Sequence, residues 1–224
     1  MRFLSILIAA ALGYFLGSVN FSIPVVKMMI GKDIRTLGSH NAGLTNTYRC
    51  AGKKCAAITL AGDLLKGVIA VALARWICGA MGAGLAPDND THFIGYIAGL
   101  FAVLGHVFPL YYGFKGGKGV LVGIASFLIV DPKVFVALLA IFIVILAITK
   151  YVSAASIMGA LFCPLATLLM SWIVEGNTFG RSFLYMLLSI PMAAMVIIMH
   201  RSNIQRLMAG NENRFSFKTS GTAL

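Results

Sequence analysis

Residues 133–150, KVFVALLAIFIVILAITK, are apolar along nearly their whole length and carry a lysine at each end. A helix needs about 20 predominantly apolar residues to cross the hydrocarbon core of a bilayer. Other stretches are similar, because 59% of the 224 residues are hydrophobic and only 11% are charged, whereas a soluble domain averages roughly 25% charged residues. The composition predicts an all-α integral membrane protein that forms a single polytopic domain over residues 1–224.

Seven segments are apolar enough to be transmembrane helices. The fourth of them is short and contains glycine. The predicted spans cover residues of about 3–30, 54–78, 93–112, 118–130, 133–150, 151–173 and 183–202.

Seven spans place the two termini on opposite sides of the membrane, and the basic residues decide which side is which. The whole net charge of the chain, +11, falls on the side of the C-terminus. The positive-inside rule makes that side cytoplasmic and puts the N-terminus outside. Two causes are open: topology signalling with attraction to anionic lipid, worth about 1 kcal/mol per basic residue, or an anion site. We expect this surface to contact membrane lipid and no nucleic acid.

The stretch RTLGSHNAGLTNTYR, residues 35–49, lies on the basic side between the first two spans. Glycines bring backbone N–H groups close to a ligand, and short hydroxyl and amide side chains add donors. The planar fork of an arginine matches the oxygens of a phosphate. The pattern predicts a phosphate-binding loop at the membrane surface, with candidate ligands Ser39, Asn41, Gly43, Thr45, Asn46 and Arg49.

A second polar segment, LGHVFPLYYGFKGGKGV, covers residues 104–120 on the same side. Two glycines separate Lys115 from Lys118, so the backbone can fold tightly and bring both ammonium groups to one anion. The spacing of a Walker loop is missing. A basic turn at the membrane edge is the alternative to an anion site.

Two charged residues inside the second span, Asp63 and Lys66, share one helix face. Each costs roughly 3 kcal/mol at the middle of a membrane. They must therefore pair, face a wet cavity or lie near the cytoplasmic end. If the two charges pair, their role is structural. If they face a cavity, Lys66 is a candidate for substrate binding and Asp63 a candidate base, both weaker than the residues of the polar segments.

The third polar segment, HRSNIQRLMAGNENRF, covers residues 200–215 at the end of the last span. On a helix, His200, Asn203 and Arg206 share one face. This face is either a set of hydrogen-bonding residues at a helix end or a second part of the anion site. Ser153 is a weaker candidate, because serines in helices often bond to their own backbone.

Together these segments resemble the bacterial acyl-phosphate:glycerol-3-phosphate acyltransferase family, the PlsY type. The motifs of that family are similar to S-G-N-x-G-A-T-N-x-x-R, G-H-x-F-P-x-x-x-x-F-K-G-G-K-G-V and H-x-x-N-x-x-R-L-x-x-G-x-E-x-R. Here they read SHNAGLTNTYR, GHVFPLYYGFKGGKGV and HRSNIQRLMAGNENR. Asp63, Lys66 and Gly67 match a further D-x-x-K-G motif. The resemblance covers nearly the whole chain and departs at His40, where Gly is usual, and at Leu44, where Ala is usual.

The resemblance implies that a fatty acyl phosphate donates its acyl group to the 1-hydroxyl of sn-glycerol 3-phosphate, giving lysophosphatidic acid and phosphate. This is the first acylation of phospholipid synthesis, at the cytoplasmic face of the bacterial inner membrane. An upstream enzyme that forms acyl phosphate is implied as a partner, and no cofactor is implied. We expect no metal site, because the acidic residues are too scattered for a carboxylate cage and the histidines lack metal-ligand spacing.

An acyl phosphate is a mixed anhydride with a good leaving group, so the protein needs positioning and charge stabilisation more than covalent chemistry. We predict that Arg49, Lys115 and Lys118 grip the two phosphates. His200 and Asn203 would position glycerol phosphate or its attacking hydroxyl.

The proton acceptor is open at this point. Transfer to a phosphate oxygen of the substrate is favoured, and His106, His200 and Asp63 are the alternatives. A transporter for phosphate or glycerol phosphate is the main alternative of a different class, since broken helices and basic residues also line anion pathways. It predicts an inverted repeat and polar residues that continue to the external side, and the sequence has neither.

Overall fold

The computed structural model describes residues 2–84 and 89–215, and it contains helices and no strand among these residues. The predicted all-α fold is confirmed. The α-helices are α1 (Arg2–Gly17), α2 (Ser22–Ile30), α3 (Leu44–Ala80), α4 (His92–Val107), α5 (Val120–Val130), α6 (Pro132–Thr149), α7 (Val152–Leu169), α8 (Phe179–Met199) and α9 (Arg201–Met208).

Six helical segments in the described part of the chain are long and apolar enough to cross a membrane. The predicted fourth span, residues 118–130, corresponds to α5, which has 11 residues. At 1.5 Å per residue this helix is roughly 16 Å long, about half of the hydrocarbon thickness. Seven crossings and the orientation of the termini therefore stay predictions. The six segments are Phe3–Ile30, Leu44–Ala80, His92–Tyr112, Pro132–Thr149, Val152–Val174 and Phe179–Met199.

The first span is broken into two helices, α1 and α2, by residues 18–21. The break carries polar side chains that find partners inside the protein, as groups at this depth must. The Asn20 amide donates to the carbonyl oxygen of Ala42 at 3.1 Å, and the Ser22 hydroxyl donates to Asn20 Oδ1 at 2.6 Å. The break in the first span thus supports the first polar loop, residues 35–43, through the bond to Ala42.

The second span begins earlier than the sequence suggested. Helix α3 starts at Leu44 instead of residue 54, so the second half of the stretch 35–49, predicted to be a loop, is helical. Gly52 interrupts the helix with φ 79° and ψ −179°, a conformation that suits glycine. The short helical segment 44–51 therefore takes its own direction before the long membrane segment begins.

Helix α4 lies at the centre of the bundle. In an 18-residue window of the span that contains it, 67% of the residues are buried, compared with 11% in α6. Glycines let α1 and α4 meet at backbone distance. A Cβ atom at Gly17 would collide with the backbone of Ala102, and a Cβ atom at Gly105 would lie 2.8 Å from the backbone nitrogen of Ser18.

Adding a methyl group at Gly105 should therefore push α1 and α4 apart. Overpacking of this kind typically costs about 1–3 kcal/mol, so we expect Gly105→Ala to lower the Tm of the purified protein in detergent. Gly180→Ala is the matched control, because a Cβ atom at Gly180 meets nothing within 4 Å. An unchanged Tm for Gly105→Ala would contradict this packing.

Candidate active site

The three polar segments meet around one cavity of about 290 Å³. Its walls come from the first polar loop, α3, the end of α4, the start of α5, α6, the start of α7, the junction of α8 and α9, and the chain that follows α9. The polar side chains and glycines of its lining are Ser39, Asn41, Gly43, Thr45, Asn46, Arg49, Asp63, His106, Lys118, Gly119, Ser153, Ser156, His200, Asn203, Arg206, Glu212 and Asn213.

Most candidates from the sequence are therefore in one place, and two are not. Lys115 is exposed and outside the lining, so the structure does not bring both lysines of KGGKG to one anion. Lys66 is also outside the lining; it is buried beneath the cavity and paired with Asp63 at 2.7 Å. Of the alternatives that the sequence left open for these two charges, the structure shows the pair, and Asp63 also lines the cavity.

Asn46 organises the first polar loop. Its Oδ1 accepts from the backbone N–H of Ser39 at 3.0 Å. Its Nδ2 donates to the carbonyl oxygens of Leu37 and Asn41 at 3.0 and 3.1 Å, with Ile34 at 3.3 Å. The side chain is only 3% exposed. These contacts show that Asn46 is a scaffold of the loop, and its role as a phosphate ligand stays a prediction.

The N-terminus of α3 opens onto the cavity. Gly43 is the residue before the helix, and the N–H of Thr47 is the first to bond back, to the Gly43 carbonyl at 3.0 Å. The N–H groups of residues 44–46 have no acceptor within the helix. Backbone N–H groups at a helix start favour an anion, because the helix dipole adds partial positive charge there.

His40 stands where glycine is usual in the motif, and its backbone has the left-handed φ of 57°. Left-handed residues other than glycine are uncommon. The His40 ring compensates locally, because Nδ1 donates to the carbonyl oxygen of Arg35 at 3.0 Å. Histidine in place of glycine at position 40 thus still adopts a left-handed turn, and it adds a side-chain hydrogen bond within the loop.

The second polar loop, residues 108–119 between α4 and α5, is held against the end of α4. The N–H groups of Gly116 and Gly117 donate to the carbonyl oxygens of Val107 and His106, each at 3.1 Å. A Cβ atom on Gly117 would collide with the ring of His106. This packing delivers Lys118 to the cavity.

Lys118 meets the third polar segment directly, because its Nζ donates to Oδ1 of Asn203. Burial, together with the nearby cations Arg206 and Arg49, lowers the pKa of Lys118 to about 8, and Glu212 opposes this shift. A lysine with this pKa is still mostly protonated at neutral pH, but it loses its charge at a moderately alkaline pH.

Glu212 joins the polar groups of the third segment, and the sequence reasoning gave it no role. Its Oε1 accepts from Asn203 Nδ2 at 2.8 Å and from Ser153 Oγ at 3.1 Å, and its Oε2 accepts from Arg206 Nε at 2.7 Å. These donors outweigh burial and lower the pKa of Glu212. A lone acid within a basic segment, in the G-x-E-x-R pattern, was the available signal.

His106 makes a buried contact that bears on its candidacy as a base. Its Nδ1 accepts from the ammonium group of Lys66 at 2.9 Å, and Lys66 also donates to the carbonyl oxygen of Val19 at 2.7 Å. The lone pair of Nδ1 is therefore engaged, and Asp63 is likewise engaged by Lys66. These contacts make His106 and Asp63 weaker candidates for the base, although both line the cavity.

His200 has the complementary arrangement. Its Nδ1 donates to the carbonyl oxygen of Val196 at 2.7 Å, which assigns the proton of the neutral ring to Nδ1. Nε2 is then the acceptor, on a residue that lines the cavity. His200 can accept a hydrogen bond from a hydroxyl group, as the sequence predicted for a positioning role.

A smaller apolar cavity of about 60 Å³ adjoins the polar one. Four residues line both: Val120, Ile124, Phe142 and Ser156. The remaining wall of the apolar cavity is Val103, Gly123, Phe127, Leu138, Ala155, Gly159, Ala160, Cys163, Met192, Ala193 and Val196. A cavity with several cationic side chains thus lies directly beside an apolar one.

A family model described as glycerol-3-phosphate acyltransferase matches residues 7–210. The chain belongs to the glycerol-3-phosphate acyltransferase family. It is 38% identical over 218 residues to a glycerol-3-phosphate acyltransferase of Clostridioides difficile, covering 97% of this chain and 99% of the relative. It is 41% identical to one of Halalkalibacterium halodurans over 211 residues, covering 93% and 95%.

Two solved structures of the acyltransferase PlsY (YgiH), an integral membrane protein, have the same fold as this chain. The glycerol 3-phosphate form superposes with a TM-score of 0.75 at 32% identity, covering 95% of this chain and 96% of that one. The lysophosphatidic acid form gives 0.73 at 31% identity with the same coverage. This glycerol-3-phosphate acyltransferase is therefore an integral membrane enzyme of the PlsY type.

The pKa of Lys118 predicts a pH dependence for this acyltransferase. The cationic form attracts a phosphate, and raising the pH through about 8 removes that charge. We expect kcat/KM for glycerol 3-phosphate to fall above about pH 8, since this ratio reports groups of the free enzyme.

In Lys118→Arg the guanidinium keeps its charge at all accessible pH values, so the alkaline limb should disappear even if the maximal rate is lower. Lys53→Ala, which removes an exposed lysine from α3, should retain the limb. A limb that persists unchanged in Lys118→Arg would assign it to another group.

Proposed function

We propose that this enzyme transfers the acyl group of a fatty acyl phosphate to the 1-hydroxyl of sn-glycerol 3-phosphate, giving lysophosphatidic acid and inorganic phosphate. The observation that carries the proposal is the junction of a cationic polar cavity with an apolar one. A donor with one phosphate and one long acyl chain fits such a pair of spaces. A PlsY structure in a glycerol 3-phosphate form and one in a lysophosphatidic acid form support the same substrate and product.

The donor phosphate would lie at the N-terminus of α3. Backbone N–H groups of residues 44–46, with the side chains of Ser39, Asn41 and Thr45, line that part of the cavity. Gly43 allows the backbone to approach the ligand closely. Arg49, one turn further along the helix, is exposed toward the same side and offers the planar fork that suits phosphate oxygens.

The acceptor phosphate would lie between Lys118 and Arg206. Asn203, which joins Lys118 to Glu212, would help to orient it, and Ser153 would contribute more weakly. Arg49 would lie between the two phosphates and reduce their repulsion, as expected for a site that must gather two anions.

The chemical step is an acyl transfer. The 1-hydroxyl oxygen attacks the carbonyl carbon, the bond from that carbon to the phosphate oxygen breaks, and the hydroxyl proton passes to a phosphate oxygen. His200 Nε2 would orient the hydroxyl as a hydrogen-bond acceptor, and the cations would stabilise the charge that develops. His106 and Asp63 are weaker candidates for the proton acceptor, because Lys66 engages both.

The position of the site beside the bilayer follows from the long acyl chain of the proposed donor. A buried chain contributes about 0.8 kcal/mol per CH₂ group, so a site beside the bilayer leaves the tail in an apolar environment. We propose the cytoplasmic face of the bacterial inner membrane as the location. The acceptor is water-soluble and would enter from the cytoplasm. An enzyme that forms acyl phosphate must act upstream, because a mixed anhydride of this kind has to be supplied.

Reconstitution of the purified protein in lipid vesicles tests the donor. With palmitoyl phosphate and glycerol 3-phosphate, we expect lysophosphatidic acid and phosphate in equal amounts, measured by mass spectrometry and a phosphate assay. Palmitoyl-CoA should give no product. Product from palmitoyl-CoA without product from palmitoyl phosphate would refute the proposed donor.

In the same assay, Arg49→Ala should lower kcat/KM by about 100-fold or more, since it removes a charge-assisted contact to both phosphates. Lys53→Ala removes a nearby exposed charge from the same helix and is the control. Ser153→Ala should cost less than Arg49→Ala. An equal loss in Arg49→Ala and Lys53→Ala would reduce the effect of Arg49 to general surface charge.

The apolar cavity predicts a change in chain-length preference. Gly159 lines it, and a Cβ atom there meets nothing within 4 Å, so Gly159→Leu should fill the space without distorting α7. We expect kcat/KM for palmitoyl phosphate to fall relative to decanoyl phosphate, because the longer tail loses its place. Leu161→Phe is the control, since Leu161 is 58% exposed on the same helix. The same ratio in both variants would contradict a tail in this cavity.

A further inference from the structure

Arg35 is not part of the cavity lining, yet its side chain joins the first polar loop to the second. Nη1 donates to the carbonyl oxygen of Tyr112 at 2.6 Å and to that of Lys115 at 3.3 Å. Nε and Nη2 donate to the carboxylate of Asp33 at 3.1 and 2.7 Å. One guanidinium thus links segments that lie far apart in the sequence.

The two carbonyls that Arg35 binds flank an unfavourable turn. Between them, Gly113 and Phe114 both have left-handed backbones, with φ of 67° and 59°. Glycine adopts this conformation freely, but a residue with a Cβ atom resists it. The Phe114 ring is 55% exposed and so gives the turn little packing. Two backbone bonds also close the turn, from the N–H groups of Phe114 and Tyr112 to the Pro109 carbonyl at 2.9 and 3.2 Å. Arg35 adds the side-chain bonds that tie the turn to the first polar loop.

The turn sets the position of the residues after it. Gly116 and Gly117, which follow directly, donate to the carbonyls at the end of α4, and the next residue is Lys118. Strained backbone persists only where its surroundings hold it. Loss of the Arg35 contacts would let the turn open and would displace the residues that follow it, up to Lys118.

We propose that Arg35 is a positioning residue for acyl transfer, which clamps the turn at residues 112–115 and thereby holds Lys118 in the cavity. The proposal rests on the proposed function of Lys118 as a phosphate ligand. Arg35 itself touches no substrate, because its guanidinium is occupied by Asp33 and by the two backbone carbonyls.

Only an arginine can make this set of contacts. Its planar fork supplies five N–H donors in fixed directions, whereas lysine supplies one compact ammonium group. Asp33 completes the clamp: its Oδ1 also accepts from the Arg35 backbone N–H at 2.9 Å, and the hydrogen bond from Arg35 lowers the pKa of Asp33. With side chains 27% and 30% exposed, the pair is partly shielded from water. It is more than a solvated surface ion pair.

The first test is kinetic. We expect Arg35→Ala to lower kcat/KM for glycerol 3-phosphate about 10- to 100-fold, as a small displacement of a binding group does, and Arg35→Lys to fall nearly as far. Lys32→Ala, an exposed lysine three residues earlier, should stay within about twofold of the unmodified enzyme. Equal kinetics for Arg35→Ala and Lys32→Ala would overturn the proposal.

A double-mutant cycle with Lys118→Gln separates positioning from a general structural role. If Arg35 acts through Lys118, adding Arg35→Ala to Lys118→Gln should cost less than about twofold more, since coupled residues are not additive. Independent residues would multiply their effects. Fully multiplicative losses would show that Arg35 does not act through Lys118.

Hydrogen exchange gives a readout that does not depend on activity. In Arg35→Ala, but not in Lys32→Ala, the amides of Gly116 and Gly117 should exchange faster, while those of α6 keep their protection. Unchanged exchange at both glycines would refute the clamp. If the activities of the double-mutant cycle fall below the detection limit, hydrogen exchange alone decides whether Arg35 holds the turn. An unmodified enzyme inactive with acyl phosphate would refute the proposed donor instead, and the exchange result would still judge the clamp.

Discussion

The ion pair of Asp63 and Lys66 is the interaction on which this fold depends. A broken transmembrane helix leaves backbone groups without partners, and lipid supplies none. Here Lys66 donates to the carbonyl oxygen of Val19, and Asp63 accepts from the N–H of Phe21 at 3.4 Å. Both groups belong to the break between α1 and α2. Since Lys66 also contacts His106, one buried pair joins the broken first span, α3 and α4 directly beneath the cavity. Removing one partner would leave a buried charge uncompensated, which is far more costly than never having had the pair.

Much of this arrangement could be predicted because it follows from burial and charge. The apolar stretches predicted membrane helices. The cost of two charges within one span predicted that they pair, face a wet cavity or lie near the cytoplasmic end, and they pair. The three polar segments were expected on one side of the membrane, so their side chains were expected to be neighbours. The structure brings Arg49, Lys118 and Asn203 to one cavity. No single segment of the sequence reveals the apolar cavity beside it, because five helices, α4 to α8, contribute to its wall.

The features that could not be predicted depend on backbone geometry and long-range contacts. Glycine and asparagine are typical of loops, so nothing local indicated that a helix begins at Leu44 and turns Asn46 inward as a scaffold. The pattern KGGKG treats its two lysines alike, and only the fold separates Lys115 from Lys118. Glu212 binds partners that are far away in the chain, such as Ser153. A lone acidic residue in a basic segment does not indicate which residues it will contact.

The exposure of α6 has a consequence for how a lipid reaches the enzyme. Only 11% of the residues in this helix are buried, yet Phe142 forms part of the wall where the two cavities join. Helix α6 thus has one side at the place where the cavities adjoin and most of its surface at the outside of the described bundle. A tail that passes sideways at this wall never has to be hydrated, which for a long chain spares on the order of 10 kcal/mol at about 0.8 kcal/mol per CH₂. With the proposed donor, the enzyme would take the acyl phosphate directly from the leaflet and the water-soluble acceptor from the aqueous side.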